Sequence, residues 1–406
     1  MSAVAVTGLG LVTPAGADAA ATWRTVCAGS ATAAAVDPAL GDVPVPLACR
    51  VPDFDARTLL GREVWRMDRF AHLALAAAHQ AVADAGLDPA TWDGARVGVV
   101  VGVGTESKDA SFTAARKLHG RDYATVSPLT IPRTTTNAAA AEICMALGAG
   151  GPSMAVTTAC SSGATALGVA RDLLVAGRCD VALAGGVEAP CHPMTSLSFS
   201  RMGTLSTRLH DPAGASRPFD ADRDGFVLAE GAGLLVLERA EDARARRVPV
   251  LAHLAGYGAS TDAHHYAAPH PEGAGVVRAF QAALADAGLQ TGDIGHVNAH
   301  GTGTPMNDRI EGATLRRLFR GSPPPVTSAK GVLGHTLGAA GAIEAALSVL
   351  TLRHRAIPPT ANLDTLDPEI DLDVVTKAPR EGAIEAVASN SFGFGGHNAV
   401  LILRRA

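Results

Sequence analysis

The order of apolar segments, repeated once along the chain, limits the fold more than any single motif. β-prone runs alternate with Ala- and Leu-rich stretches of helical period, the pattern of an α/β protein. Each half opens on a strand, at Val4–Thr7 and Val250–Gly256, and a second strand follows at Val97–Val101 and Ile294–Asn298. Each half next predicts a strand passing through a turn into an Ala-rich helix, at Met154–Ala170 and Val326–Leu347. A late apolar strand closes each, at Phe226–Leu237 and Asn398–Leu403. The repeat is weak in identity and clear in order. Its join falls near residue 248, after the charged stretch Glu238–Arg247, dividing the chain into 1–248 and 249–406. The longest irregular region, about 190–224, carries Pro190, Pro193, Pro212 and Pro218 and predicts an ordered crossing loop.

With 406 residues, 47% hydrophobic and 18% charged, the chain can bury a large core. Its start, Met-Ser-Ala-Val-Ala-Val, lacks the basic opening of a secretory signal, and its most apolar long stretch, around 331–350, contains His335 and Glu344. Neither an export signal nor a membrane span is expected. Six cysteines (27, 49, 144, 160, 179, 191) lie at irregular intervals with no Cys-x-x-Cys, so neither a disulfide scaffold nor a zinc ribbon is indicated. A reducing cytoplasm is the expected compartment. A net charge of −5 argues against nucleic acid as the main partner. Arg62, Arg66 and Arg69 fall on one side of a helix predicted over Arg62–Ala83; Arg116, Lys117 and Arg121 form a second basic group.

Cys160 sits in Val156-Thr-Thr-Ala-Cys-Ser-Ser-Gly-Ala-Thr-Ala-Leu-Gly168, where a β-prone stretch passes through a cysteine into small residues suited to open a helix. The tip of such a turn exposes the sulfur, and the helix N-terminus is expected to lower its pKa from about 8.5. A nucleophile fits this position; an inert buried cysteine is the competing reading. Two downstream segments favour the former. Val297-Asn-Ala-His-Gly-Thr-Gly-Thr-Pro-Met-Asn-Asp308 and Ser328-Ala-Lys-Gly-Val-Leu-Gly-His-Thr-Leu-Gly-Ala-Ala-Gly-Ala-Ile-Glu344 set His300 and His335 in glycine-rich backbone, as expected for loop tips rather than a packed core. A third, Asn390-Ser-Phe-Gly-Phe-Gly-Gly-His-Asn398, has the same character.

These motifs, with Val4-Ala-Val-Thr-Gly-Leu-Gly-Leu-Val-Thr-Pro14, Ser216-Arg-Pro-Phe-Asp220 and Asp222-Arg-Asp-Gly-Phe-Val-Leu-Ala-Glu-Gly-Ala-Gly233, are ordered over essentially the whole chain. In them the chain resembles the β-ketoacyl-acyl-carrier-protein synthases, in particular the elongating, decarboxylating branch with a Cys-His-His site. The resemblance implies the thiolase fold, two related α/β halves in five layers, α-β-α-β-α. It implies transfer of an acyl chain from acyl carrier protein to Cys160 and condensation with malonyl carrier protein with loss of CO2, in fatty-acid or polyketide elongation. Backbone N–H groups of Cys160 and Phe394 would form the oxyanion hole. His300 and His335 would hold the malonyl thioester oxygen, with Lys330, Glu344 and Asn390 in support. Thr302 and Thr304 match positions that bind the phosphopantetheine arm; Phe392 and Phe394 lie in a glycine-bounded loop able to swing, and Phe394 matches the family's gate over the acyl pocket. Arg62, Arg66, Arg69 and Lys117 are expected to meet the acidic carrier protein. No tightly bound cofactor and no metal are expected, the phosphopantetheine being carried by the substrate protein.

Alternative chemistries find fewer matching residues. A thiolase-type acyl-CoA acyltransferase would need a late second cysteine, and none follows Cys191; an initiating synthase would have asparagine where His335 stands. A zinc hydrolase built on His264, His265, His300 and Cys160 lacks a matching ligand set. Dinucleotide binding at Gly8-Leu-Gly10 or Gly102-Val-Gly104 lacks the third glycine and the ribose-binding acid. A non-enzymatic chain-length-factor subunit would lack the nucleophile. The stretch Gly104-Thr-Glu-Ser-Lys-Asp109 is polar where homodimeric fatty-acid enzymes of this kind are small and apolar. Glu106 is therefore expected near the acyl pocket at a subunit interface, in a homodimer or a heterodimer with a chain-length-factor-like subunit.

Overall fold

The computed structural model describes residues 3–33, 37–105 and 107–406; the expectation for Glu106 lies outside the described residues. The elements that build the first half are β1 (Val4–Val12), α1 (Arg69–Asp84), β2 (Val97–Gly102), α2 (Lys108–His119), α3 (Ala138–Leu147), β3 (Ser153–Val156), α4 (Ser162–Val175), β4 (Val181–Glu188), α5 (Pro193–Arg201) and β5 (Gly231–Arg239). The second half contributes β6 (Ala252–Thr261), α6 (Ala274–Ala287), β7 (His296–Asn298), α7 (Pro305–Leu318), β8 (Val326–Thr327), α8 (Ala340–His354), β9 (Ala386–Gly393) and β10 (His397–Arg404).

The ten strands run in the order β8-β7-β9-β10-β6-β1-β5-β4-β2-β3. Read outward from the middle, the two halves repeat one pattern. β1 pairs antiparallel with β5 and β5 with β4, then β4, β2 and β3 are parallel; β6, β10, β9, β7 and β8 do the same. The halves join through Val4–Val6 against Ala252–Leu254. The same packing device recurs on both outer faces. A Cβ on Gly10 would lie 2.0 Å from the Ala77 carbonyl of α1, and one on Gly258 2.0 Å from the Ala279 carbonyl of α6, so glycine lets each helix settle onto its strand.

Between the two half-sheets α4 and α8 pack together, and in α8 every residue from Ala340 to Leu352 is buried. A helix apolar all round belongs in such a central layer. With α1 and α3 outside one half-sheet and α6 outside the other, the result is five layers, and the central pair carries its N-termini to the same end as the site.

Several local expectations change. The helix predicted over Arg62–Ala83 is split: Arg62–Arg66 is a 3₁₀ turn and α1 begins at Arg69. Asp68 is held extended between them by Arg133 and the Ser107 hydroxyl. The strand expected over Phe226–Leu237 breaks. Leu228–Ala229 pairs with Ala48–Cys49, and β5 starts at Gly231. The irregular region 190–224 contains α5, and the strand expected at Val250–Gly256 runs over Ala252–Thr261.

Candidate active site

β3 delivers the chain to the turn Thr157–Ser161 at the mouth of α4. Ala159 adopts φ 51°, a strained conformation for a residue with a side chain. Side-chain bonds hold it there. The Thr158 N–H donates to Ser162 Oγ at 2.9 Å, Ser162 Oγ donates to the Ala159 carbonyl at 2.6 Å, and Ser161 Oγ donates to the Thr158 carbonyl at 2.7 Å. The β9–β10 hairpin abuts this turn, since a Cβ on Gly393 would lie 2.5 Å from the Thr158 carbonyl. The N–H groups of Phe394 and of Cys160 itself face the Cys160 sulfur.

Cys160 lines a cavity of about 630 Å³ together with His300, His335, Thr302, Thr304, Phe392 and Phe394. The cavity therefore gathers residues from Cys160 to Asn398, drawn from both halves of the chain. His300 follows β7, and His335 follows the short helix Lys330–Leu333; their ring centroids are 5.4 Å apart with planes at 80°. Phe392 packs 5.5 Å from the His300 ring and Phe226 5.2 Å from the His335 ring. Phe199 of α5 stands 6.1 Å from Phe394, so the crossing region does cover the site.

Burial sets the electrostatics. Both histidines are buried, at 3% and 2% exposure, contrary to the expectation of open loop tips. Burial, with Lys330 close by, holds both imidazoles well below the usual histidine range. A depressed pKa leaves the ring neutral down to acid pH, so both histidines are expected to remain uncharged at about pH 5.5. Ring-nitrogen NMR shifts of histidine-labelled protein check this; a signal of either residue titrating near its ordinary value contradicts it.

The expectation of a lowered Cys160 pKa is also corrected. Burial pushes the thiol up to about 12 and outweighs Lys330, which acts downward; Glu188 adds to the rise. The N–H groups of Phe394 and Cys160 pull the other way without reversing it. Cys160 at rest is therefore a neutral thiol.

Lys330 is itself buried, at 2% exposure. Its Nζ donates to the His300 carbonyl at 2.6 Å and pairs with Glu344, whose carboxyl burial raises to about 7. Glu311 of α7, which the sequence motifs did not single out, accepts from the His300 and Gly301 N–H groups, both at 2.8 Å, and from Asn390 Nδ2 at 3.0 Å. It thus fixes the backbone of one histidine, as Lys330 does from the other side. Thr302 and Thr304 hydroxyls lie 2.9 Å apart. Phe392 belongs to β9 rather than to a swinging loop, and only Phe394 sits in the hairpin turn.

The basic residues lie elsewhere. Arg62 is exposed. Arg66 pairs with Glu63 and Glu142 at 2.9 and 3.0 Å. Arg69 is committed to Glu230, with bonds of 2.7 and 2.6 Å. Lys117 Nζ donates to the Thr125 carbonyl. Among the described residues no group of three or more His, Cys, Asp and Glu side chains is placed to hold a metal ion, and no helix is long and apolar enough to cross a membrane.

Residues 1–243 match the β-ketoacyl synthase N-terminal domain, and residues 251–364 match the β-ketoacyl synthase C-terminal domain. The chain belongs to the β-ketoacyl synthases. This synthase is 41% identical to 3-oxoacyl-[acyl-carrier-protein] synthase 2 of Rhizobium meliloti (strain 1021), across 100% of this chain and 99% of that protein. It is 38% identical to the protein of the same description from Staphylococcus aureus (strain COL), across 99% and 98%. Among solved structures it is similar to the ishigamide ketosynthase/chain length factor, with a TM-score of 0.92, 34% identity and coverage of 100% and 99%. It is also similar to a type II PKS acyl-carrier protein in complex with its ketosynthase bound to the hexaketide, with a TM-score of 0.90, 30% identity and coverage of 100% of both chains. The fold is the thiolase fold of the ketosynthases, and the synthase is an acyltransferase of the decarboxylating, condensing class.

Proposed function

We propose that Cys160 carries the growing acyl chain and that His300 and His335 serve the malonyl half of the condensation. The supporting observation is the meeting of all three side chains at one cavity, with two backbone N–H groups facing the sulfur. In the first step the S–C bond to Cys160 forms, the thioester bond to phosphopantetheine breaks, and the thiol proton leaves with the pantetheine sulfur. The N–H groups of Cys160 and Phe394 receive the tetrahedral oxyanion; one such donor is typically worth about 3 kcal/mol of barrier. In the second step malonyl loses CO2, and neutral His300 and His335 donate ring N–H groups to the enolate oxygen. The enolate carbon attacks the acyl-cysteine, and collapse of that intermediate frees the sulfur as a thiolate, which takes a proton from water to restore the resting thiol. Lys330, Glu344, Glu311 and Asn390 orient the histidine loops, and Thr302 and Thr304 hydrogen-bond the pantetheine arm.

In this reading phosphopantetheine arrives on the carrier protein, no cofactor is tightly bound, and the work is done in the cytoplasm. Arg62, Arg66 and Lys117 meet the carrier, while Arg69 braces that face through Glu230. Residues 1–248 supply the nucleophile and 249–406 both histidines. The assembly is a homodimer or a heterodimer with a chain-length-factor-like subunit. Mass spectrometry of carrier-bound intermediates made by the chain, alone and with a chain-length-factor-like subunit, tests the pathway. Oxygenated or unsaturated chains made only with the second subunit are expected of polyketide elongation. Saturated medium chains made equally well by the chain alone would assign it to fatty-acid elongation.

A further inference from the structure

Glu188 closes β4, 2% exposed, directly behind the catalytic turn, and takes no part in the steps above. Its carboxylate accepts four bonds: from the Gly104 N–H at 2.7 Å, the Thr105 N–H at 3.2 Å, the Thr105 hydroxyl at 2.9 Å and the Gly338 N–H at 3.0 Å. Gly104 ends the segment leaving β2. Gly338 lies three residues after His335. The cradle is closely fitted, because a Cβ on Gly104 or Gly338 would come within 2.6 or 2.5 Å of Glu188 Oε2. No cation pairs with this carboxylate among the described residues, so four dipoles alone hold it.

We propose that Glu188 is a positioning residue of the condensing reaction: its carboxylate clamps the loop carrying His335 to the strand that backs Cys160, and its charge adds to the thiol's resistance to ionisation. The inference rests on the assignment of Cys160 as nucleophile. Charged and titratable groups facing Cys160 are Glu188 from β4, Lys330 from the 330–333 turn, and the neutral rings of His300 and His335; Glu344 of α8 is neutralised by Lys330. Of these, only Glu188 opposes the thiolate. Burial raises the Glu188 carboxyl to about 7, so it acquires its charge near neutral pH.

Two variants separate clamp from charge. Glu188→Gln removes the charge and turns an N–H₂ towards the cradle's donors. Glu188→Asp keeps the charge and withdraws it by one methylene. The readouts are the pH profile of Cys160 alkylation by iodoacetamide, located by peptide mapping, and kcat and KM for malonyl-carrier decarboxylation. In the wild type the logarithm of the alkylation rate should rise with less than unit slope across about pH 6–8, as Glu188 ionises. In Glu188→Gln the slope should be one throughout, with the rate at pH 8 about tenfold higher, a one-unit shift. Glu188→Asp should leave the alkylation profile in place and lower kcat about tenfold with KM unchanged. An alkylation profile of Glu188→Gln superimposable on the wild type, or a Glu188→Asp enzyme with full kcat, overturns the proposal, and the second arm stands if Glu188→Gln does not fold. Label on another cysteine would instead overturn the nucleophile assignment itself.

Discussion

Cys160→Ala is expected to abolish acyl-enzyme formation and to lower condensation by about 10⁴-fold or more, the scale of losing a covalent nucleophile. The other five cysteines do not line the cavity. Cys49 and Cys179 are fully buried, and Cys49 and Cys191 have thiols that burial pushes up without any opposing backbone donor. Only Cys160 combines the turn strained at Ala159, the facing N–H groups of Phe394 and Cys160, and access to the cavity. A thiol raised to about 12 is protonated near neutrality, so this site is not a general trap for electrophiles. On the proposed assignment it reacts when a thioester arrives whose carbonyl the two N–H groups can polarise and whose leaving sulfur takes the proton. Incubation with acyl carrier protein followed by peptide mapping checks the assignment, and an acyl adduct on Cys27 or Cys144 would overturn it.

What the sequence disclosed and what it concealed divide by range. The turn at Cys160 was legible because its signal is local: an apolar strand, a small-residue turn and a helix start all lie between residues 153 and 168. The halves were legible for the same reason, each strand and helix carrying its own period. Burial was not. His300 and His335 have the glycine neighbours of loop tips, yet Phe226, Phe392 and the segment around Phe199 close over them from distant parts of the chain. That closure reversed the expected electrostatics of Cys160, since the helix N-terminus favours a thiolate only as far as water or counter-charge supports it. The broken helix before α1 has a similar cause: Arg133, 65 residues downstream, holds Asp68 extended. Glu311 and Glu188 left weak traces, one of two carboxylates inside an amphipathic helix and another ending the apolar run Val181–Glu188. Both become meaningful only when their backbone donors are seen.

His300→Ala and His335→Ala are each expected to leave acylation of Cys160 in place while malonyl decarboxylation falls by at least about a hundredfold. The division follows from the geometry. On the proposed roles, the thiol's electrophile is served by backbone N–H groups that neither substitution removes, whereas the enolate oxygen depends on the two rings. Because burial holds both rings neutral, their proposed role is that of hydrogen-bond donors and not of imidazolium ions, so restoring positive charge should not restore activity. Lys330 and Glu311 grip the main chain at His300, through its carbonyl and its N–H, so the loop keeps its course when the ring is removed. His335 is anchored likewise, its N–H donating to the Val227 carbonyl at 2.8 Å and its carbonyl accepting from the Ala229 N–H at 3.0 Å. Single-turnover acylation measured by intact-protein mass spectrometry, beside CO2 release from malonyl carrier protein, separates the two half-reactions. Equal loss of both in either variant would show that the histidine serves the thiol as well, and the assignment of roles would have to be redrawn.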